Sequence, residues 1–446
     1  MSGTKDIKVL KNGYIVTMNE NLEIIEGDIL IEDGVITGIG KFETSVSNVV
    51  NLNGSIVLPG FIQTHIHLCQ TIFRGLADDL ELLDWLRRRI WPFEAAHTEE
   101  SLFKSALLGS MELLSGGTTT ILTMETVNHT HVVFEALKET GQRAIVGKCM
   151  MDEGDKVPKP LKQGRRKAMN EVEKLYKKYH NSENGRLQLA VAPRFALSCS
   201  DKLIEDVRDF CQKNRVIIHS HSSENLKEIE SVYEVKGMRN IEYFHKMGLT
   251  GDILYLAHCI WVDEDEMNIL SETKTRVLHC PGSNLKLGSG IAMIPEMLER
   301  GISVSLGADG APCNNNLDVF MEMRLAGLIQ SIRKGPGFLK SEDIVKMATI
   351  DAARALRMDD KIGSIELGKK ADIVILKRKD LHSFPYSNIY SALVYNFGSR
   401  DVTMTMVEGN IVYENGLFPS LNRETIIYEC EIELKKLLER ARKYEK

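Results

Sequence analysis

The sequence predicts an α/β protein: a (β/α)8 TIM barrel carrying a small β-sandwich domain built from both chain ends. Three observations predict it. Eight short apolar runs alternate with longer segments of helical periodicity, the mark of repeated βαβ units and a parallel sheet. The alternation spans roughly 290 residues, within the size range of a closed barrel. The two ends carry short alternating segments broken by glycine turns, the pattern of half-buried sheet. An open doubly wound sheet is the structural rival, but no GxGxxG follows the first strand, which weakens it.

Taken in order, residues 1–56 hold alternating segments at 14–18, 29–31 and 35–38. They are expected to join residues 366–420 in one composite β-domain. Residues 57–365 are expected to form the barrel, with strands at 57–67, 118–124, 143–151, 187–194, 216–222, 253–258, 275–280 and 303–309. Most of these runs stay apolar until their last residues, as strands buried on both faces do. Thr98 is placed to cap a helix in which Phe103, Leu107, Met111 and Leu114 recur at helical spacing before Gly116-Gly117 stops it. Residues 421–446 form a separate C-terminal segment, with a charged amphipathic helix expected over 425–446 and packed on the body.

Composition narrows the class. In 446 residues, 43 % are hydrophobic and 26 % charged, which excludes disordered and collagen-like chains. No run of about 18 apolar residues is present, and the N-terminus carries charges inside its apolar stretch, unlike a secretory signal. Eight cysteines without a CxxC pair point to a reducing, cytoplasmic setting with no disulfide framework. A net charge of −6 offers no electrostatic reason to bind nucleic acid or an anionic membrane.

The polar residues fall at strand ends. His65, His67, His221, His258, His279 and Asp309 all sit where apolar runs finish, and in a closed barrel those ends share one catalytic face. His65 and His67 are two apart on a strand, so both rings point the same way, a ready pair of ligands for zinc or iron. His219 and His221 form a second such pair, with Glu224 three residues on. Asp309 stands where the last strand breaks into a loop, the place for an oxygen ligand. His279 is a candidate for a supporting hydrogen bond or for substrate contact.

Five motifs carry a resemblance: PGFIQTHIHLCQTIFRG, HSHSSEN, LAHC, HCPGSNLKLGSG and LGADGAPCNNN. In this order they resemble the amidohydrolase superfamily, in its branch of purine and triazine aminohydrolases and chlorohydrolases. The resemblance implies a (β/α)8 barrel with a β-sandwich from both chain ends. It implies one divalent metal ion, zinc or iron, held by His65, His67, His221 and Asp309, with His219 supporting. It also implies catalytic roles for Glu224 as proton shuttle, for His258 beside the attacking water, and for Asp309 as base. The relatives with two metals use a carboxylated lysine on strand four, which here ends in Pro193-Arg194, so a mononuclear site is expected. A homo-oligomer is implied as well.

For substrate, two readings stand. HIHLCQ, WPFE and APRFALSCS are similar to guanine deaminases, in which Gln70 and Arg194 would hold the purine and Phe195 would stack on it. SNLKLGSG and GADGAPCNNNLDVFMEMRLA are nearer to deaminases of 5′-modified adenosines, in which Glu94 would contact ribose hydroxyls. The homocysteine-nucleoside enzymes carry a His where this chain has Arg194, which argues against S-adenosylhomocysteine. A hydrolytic deaminase of a 5′-deoxyadenosine or methylthioadenosine type is the favoured reading. Guanine, another amino- or chloro-heterocycle such as a triazine, and a catalytically inactive scaffold of the same fold remain as alternatives. Residues 68–97, between the first strand and its helix, are a candidate lid.

Overall fold

The computed structural model describes residues 6–43, 47–154 and 156–444. Five N-terminal strands come first: β1 (Ile7–Val16), β2 (Ile24–Glu32), β3 (Val35–Gly40), β4 (Val49–Asn51) and β5 (Ile56–Pro59). Then follow β6 (Phe61–His67), β7 (Thr118–Thr123), β8 (Arg143–Met150), β9 (Leu187–Pro193), β10 (Ile217–Ser222), β11 (Leu254–His258), β12 (Arg276–His279), β13 (Val304–Leu306) and β14 (Asp309–Gly310). Three more strands close the set, β15 (Ile373–Leu376), β16 (Val402–Val407) and β17 (Asn410–Glu414).

Strands β6 to β14 make one parallel sheet in the order β13-β12-β11-β10-β9-β8-β7-β6-β14. Because β14 pairs with β6 while β13 pairs with β12, the sheet closes into the expected barrel. Ile62, Leu122, Ile145, Ala190, Ile217, Tyr255 and Leu278 fill its interior away from the strand ends that carry the histidines, so the barrel is a packed core and not a pore.

Two of the expected strands are interrupted. The run at 57–67 divides at Gly60, where a Cβ would fall 2.2 Å from the Thr119 side chain. Its first part, β5, leaves the barrel and pairs with β1 and β15. The run at 303–309 breaks at Gly307, where a Cβ would lie 2.7 Å from the backbone N and O of His65. Only glycine lets the eighth strand come this close to β6. Gln63 bridges the break by accepting from Ala308 N at 2.9 Å.

The chain ends meet in a second sheet, ordered β17-β16-β15-β5-β1-β2-β3, with β4 beside β1. It curls so that both ends share one core of Leu10, Ile15, Ile29, Ile31, Val57, Ile373 and Met406, and Lys8 Nζ reaches across to donate to Gly409 O at 2.6 Å. Arg143 ties this sheet to the barrel through a buried fork onto Asp372, at 2.7 and 3.1 Å.

Thr98 caps the helix Glu99–Ser115 through Ser101 N, as its spacing predicts. The C-terminal helix Arg423–Ala441 packs on it, with Lys104 bound to Glu429 at 2.7 Å and Arg440 Nε donating to Ala96 O at 2.8 Å. The last two residues of the expected 425–446 helix lie outside the described residues. Among the described residues, no helix is long and apolar enough to cross a membrane.

Candidate active site

The strand-end histidines converge, and their hydrogen bonds fix which nitrogen faces the centre. His219 Nδ1 lies 3.1 Å from Thr123 O and its Nε2 lies 2.8 Å from His65 Nδ1. A carbonyl only accepts, so His219 carries its proton on Nδ1. Burial holds His219 neutral, its pKa well below the usual value, so its Nε2 accepts from His65 Nδ1–H. Burial also lowers His65 to about 4, which leaves a lone pair on its Nε2. That atom is buried without a hydrogen-bond partner. His67 Nδ1 donates to Met124 O at 2.6 Å and His221 Nδ1 to Arg194 O at 2.7 Å, so both turn Nε2 to the same point.

Asp309 Oδ1 stands 3.1 Å from His67 Nε2 and 3.3 Å from His65 Nε2, and the Nε2 atoms of His67 and His221 are 3.4 Å apart. Lone pairs and a carboxylate facing one another at these distances repel unless a cation lies among them. The ligand atoms of His65, His67 and Asp309 lie within 4.8 Å of one another, as do those of His65, His221 and His258. Imidazole nitrogen with one carboxylate oxygen fits a divalent transition metal. Backbone carbonyls and His219 supply the outer hydrogen bonds that orient such ligands.

The groups beside this centre are ordered in the same way. His258 Nδ1 is 2.8 Å from Asn284 Oδ1, and its Nε2 lies 3.4 Å from Glu224 Oε2 and 3.9 Å from Asp309 Oδ2. Ser289 Oγ donates to Glu224 Oε1 at 3.2 Å, and Ser283 Oγ to Asp309 Oδ2 at 2.7 Å. Burial raises the Glu224 pKa, with His258 opposing in part. Burial would also raise Asp309, but positive charge at the His65 and His67 nitrogens, a proton or a bound cation, holds it well below the carboxylate range. Two carboxyls pushed apart in this way are suited to opposite proton-transfer tasks. Ser223, His258, Cys259 and Asp309 all adopt positive φ, between 45° and 73°, so these strand ends carry backbone strain.

Above the centre lies a cavity walled by Arg194, Phe195, Glu224 and Glu228 and roofed by Leu82, Leu83, Trp85, Leu86 and Leu287. All of the roof but Leu287 comes from the segment expected as a lid, which folds into short helical pieces Leu68–Phe73, Leu82–Trp85, Leu86–Ile90 and Trp91–Ala95. Gln70 and Glu94 stand behind this wall. Glu94 accepts from Gln70 Nε2 at 2.8 Å and from Arg194 Nη1 at 2.7 Å, with its side chain and that of Arg194 buried. Of the sequence-predicted substrate contacts, therefore, Arg194 and Phe195 line the cavity, and Gln70 and Glu94 reach it through Arg194. His279 is buried, neither ring nitrogen has a hydrogen-bond partner, and burial lowers it to about 3.

Sequence reasoning passed over Glu228, Ser283, Asn284 and Ser289. The last three lie inside the HCPGSNLKLGSG motif, and Glu228 follows Glu224 by four residues, one helical turn, which was a usable signal. Burial pushes the thiols of Cys69, Cys259, Cys280 and Cys313 well above the ordinary range, which leaves them poor nucleophiles.

Residues 56–412 match the model of the amidohydrolase family. The chain is 36 % identical over 443 residues to a 5′-deoxyadenosine deaminase of Methanobrevibacter smithii, covering 98 % of this chain and 100 % of that one. It is 33 % identical over 436 residues to a 5-methylthioadenosine/S-adenosylhomocysteine deaminase of Thermoanaerobacter pseudethanolicus, covering 97 % and 99 %. Its fold is similar to the crystal structure of an adenosine deaminase from Xanthomonas campestris with bound zinc, at a TM-score of 0.90 and 26 % identity, over 97 % of this chain and 98 % of that one.

Proposed function

The chain belongs to the amidohydrolase family, and from that premise we propose that it is a zinc-dependent hydrolytic deaminase of a 5′-modified adenosine with a small apolar 5′ group. The observation that carries the reading is the approach of the Glu224 and Asp309 carboxyls to the same His258 Nε2, at 3.4 and 3.9 Å, beside the converging nitrogens of His65, His67 and His221. His65, His67, His221 and Asp309 would hold the ion. Such a cation would lower the pKa of its bound water to about 7 and so supply hydroxide at neutral pH.

The chain's own residues handle the protons. Asp309, held ionised, accepts a proton from the attacking water as its oxygen bonds to C6 of the purine. Glu224, protonated, donates to N1, which removes the negative charge that would build there. His258, fixed by Asn284, points Nε2 at the attacking oxygen. Asp309 then passes its proton to the amino group, the C6–N bond breaks and ammonia leaves. The hydroxyl proton returns to Glu224 as the carbonyl forms, which restores both groups.

The cavity walls support the substrate. Among the described residues lining it, Arg194 is the only arginine or lysine, and it is paired with Glu94. A homocysteine carboxylate would find no free counter-charge, whereas a methyl or methylthio group suits the leucine and tryptophan roof. Phe195 offers a ring face to the purine. The guanine reading needs Gln70 at the base, and Gln70 instead holds Glu94 from behind the wall.

Ammonia release by zinc-loaded enzyme tests this across 5′-deoxyadenosine, methylthioadenosine, S-adenosylhomocysteine, adenosine, guanine and a chlorotriazine, with chloride followed for the last. One of the first two is expected to lead in kcat/KM by about tenfold or more, the selectivity of a shaped apolar pocket. A tenfold lead for guanine refutes the substrate. Glu224→Gln is expected to keep zinc and lose about 10²- to 10⁴-fold in kcat; wild-type turnover in that variant refutes its role. Absence of stoichiometric zinc and of all turnover would instead identify a scaffold.

A further inference from the structure

The Glu224 carboxyl works only if its main chain is held where the side chain meets His258 and Ser289, and the structure shows what holds it. Glu224 lies in a turn between β10 and the helix Leu226–Lys236, just after Ser223 at φ 53°. One helical turn on, Glu228 folds its side chain back. It is 2 % exposed, and its Oε2 accepts from the Glu224 backbone N–H at 2.9 Å. Its Oε1 accepts from Nδ2 of buried Asn240, the first residue of the helix Asn240–Lys246. From the other side, the Ser223 carbonyl accepts from Ile260 N at 2.9 Å and from Trp261 N at 3.0 Å. The turn is thus clamped between a buried carboxylate and the loop after β11.

We propose that Glu228 is a positioning residue for Glu224, its carboxylate fixing the backbone of the turn so that the Glu224 carboxyl meets His258 and the substrate nitrogen. The inference rests on the reading of Glu224 as the proton shuttle. A buried acid has two structural alternatives, a merely stabilising bond or a contact with substrate, and the chemistry separates them. Both Glu228 oxygens already accept from protein donors, so its carboxylate is held within the fold even where it borders the cavity. Among the described residues lining the cavity, Glu224 is the one to which it is hydrogen-bonded. A displacement of about 1 Å in a reacting group costs up to about 100-fold in rate, which sets the size of the effect.

The test is a double-mutant cycle on the zinc-loaded enzyme, with kcat, KM, zinc content and Tm read for each variant. Glu228→Ala is expected to lose roughly 10- to 100-fold in kcat with KM and zinc nearly unchanged. Glu228→Gln is expected to recover most of that loss, because its amide oxygen still accepts from Glu224 N–H. Its NH₂ can donate to Asn240 Oδ1, which has no hydrogen-bond partner in the native protein. In the Glu224→Gln background, adding Glu228→Ala is expected to change kcat by less than about threefold, since residues that act as one unit are not additive. Should Glu228→Ala not fold, Glu228→Asp, one methylene too short to reach the Glu224 amide, carries the same expectation. Wild-type turnover in Glu228→Ala, or an equal loss in both backgrounds, overturns the proposal while leaving Glu224 as the shuttle. Wild-type turnover in Glu224→Gln overturns the shuttle reading, and this inference with it.

Discussion

His219 is not among the described residues lining the cavity, yet the hydrogen-bond chain from Thr123 O through His219 to His65 is expected to make it decisive for the metal affinity of the proposed site. Its Nε2 lies 2.8 Å from His65 Nδ1 and is the acceptor that leaves the His65 lone pair on Nε2. In His219→Leu the buried Nδ1–H of His65 loses its acceptor. An unsatisfied buried donor costs about 1–3 kcal/mol, and the strain falls on the ligand that must be oriented. Loss of such an outer partner weakens metal binding by about 10- to 100-fold, or about 1.4–2.7 kcal/mol, so the two routes to the magnitude agree. His219→Gln provides the control, because its Oε1 can accept from His65 while its Nε2 donates to Thr123 O. Competition with a chromogenic zinc chelator reads the affinity, and kcat at saturating zinc shows whether the assembled site still works. Wild-type zinc affinity in His219→Leu, or no recovery in His219→Gln, would refute the chain of tautomers.

Arg143→Met strands the buried carboxylate of Asp372 between the barrel and the second sheet. A loss of about 3–5 kcal/mol in urea unfolding is expected, with kcat unchanged in the protein that remains folded. Glu94→Gln leaves the Arg194 charge buried without its partner; a lower Tm and a raised KM are expected, with the smaller effect on kcat. His97 bonds to Ser101 Oγ and Cys69 O, and burial lowers it to about 3. A depressed folded pKa stabilises above the unfolded value near 6.5, and that stability drains as pH falls. Wild type should therefore lose about 2 kcal/mol more than His97→Asn between pH 7 and pH 5, as read by urea titration at each pH. Equal losses would show that His97 takes up a proton in the folded protein as readily as in the unfolded chain.

What the sequence determined by itself follows from local periodicity. Side-chain direction on a strand repeats every two residues, so His65 with His67, and the ends of the apolar runs at His221, His258 and Asp309, could be assigned to one face before any packing was known. The same periodicity identified the barrel and the helix behind Thr98. Only the tertiary structure decided the rest, because those features depend on groups far apart in the chain. The breaks at Gly60 and Gly307 arise from close contact with Thr119 and His65, partners that no local pattern specifies. The tautomer of His65 is set by a residue 154 positions away, and Glu94 meets Arg194 across 100 positions. Burial completes the division: a polar side chain sealed from water must take whatever partner closure of the barrel brings to it, and that partner is a property of the closed fold.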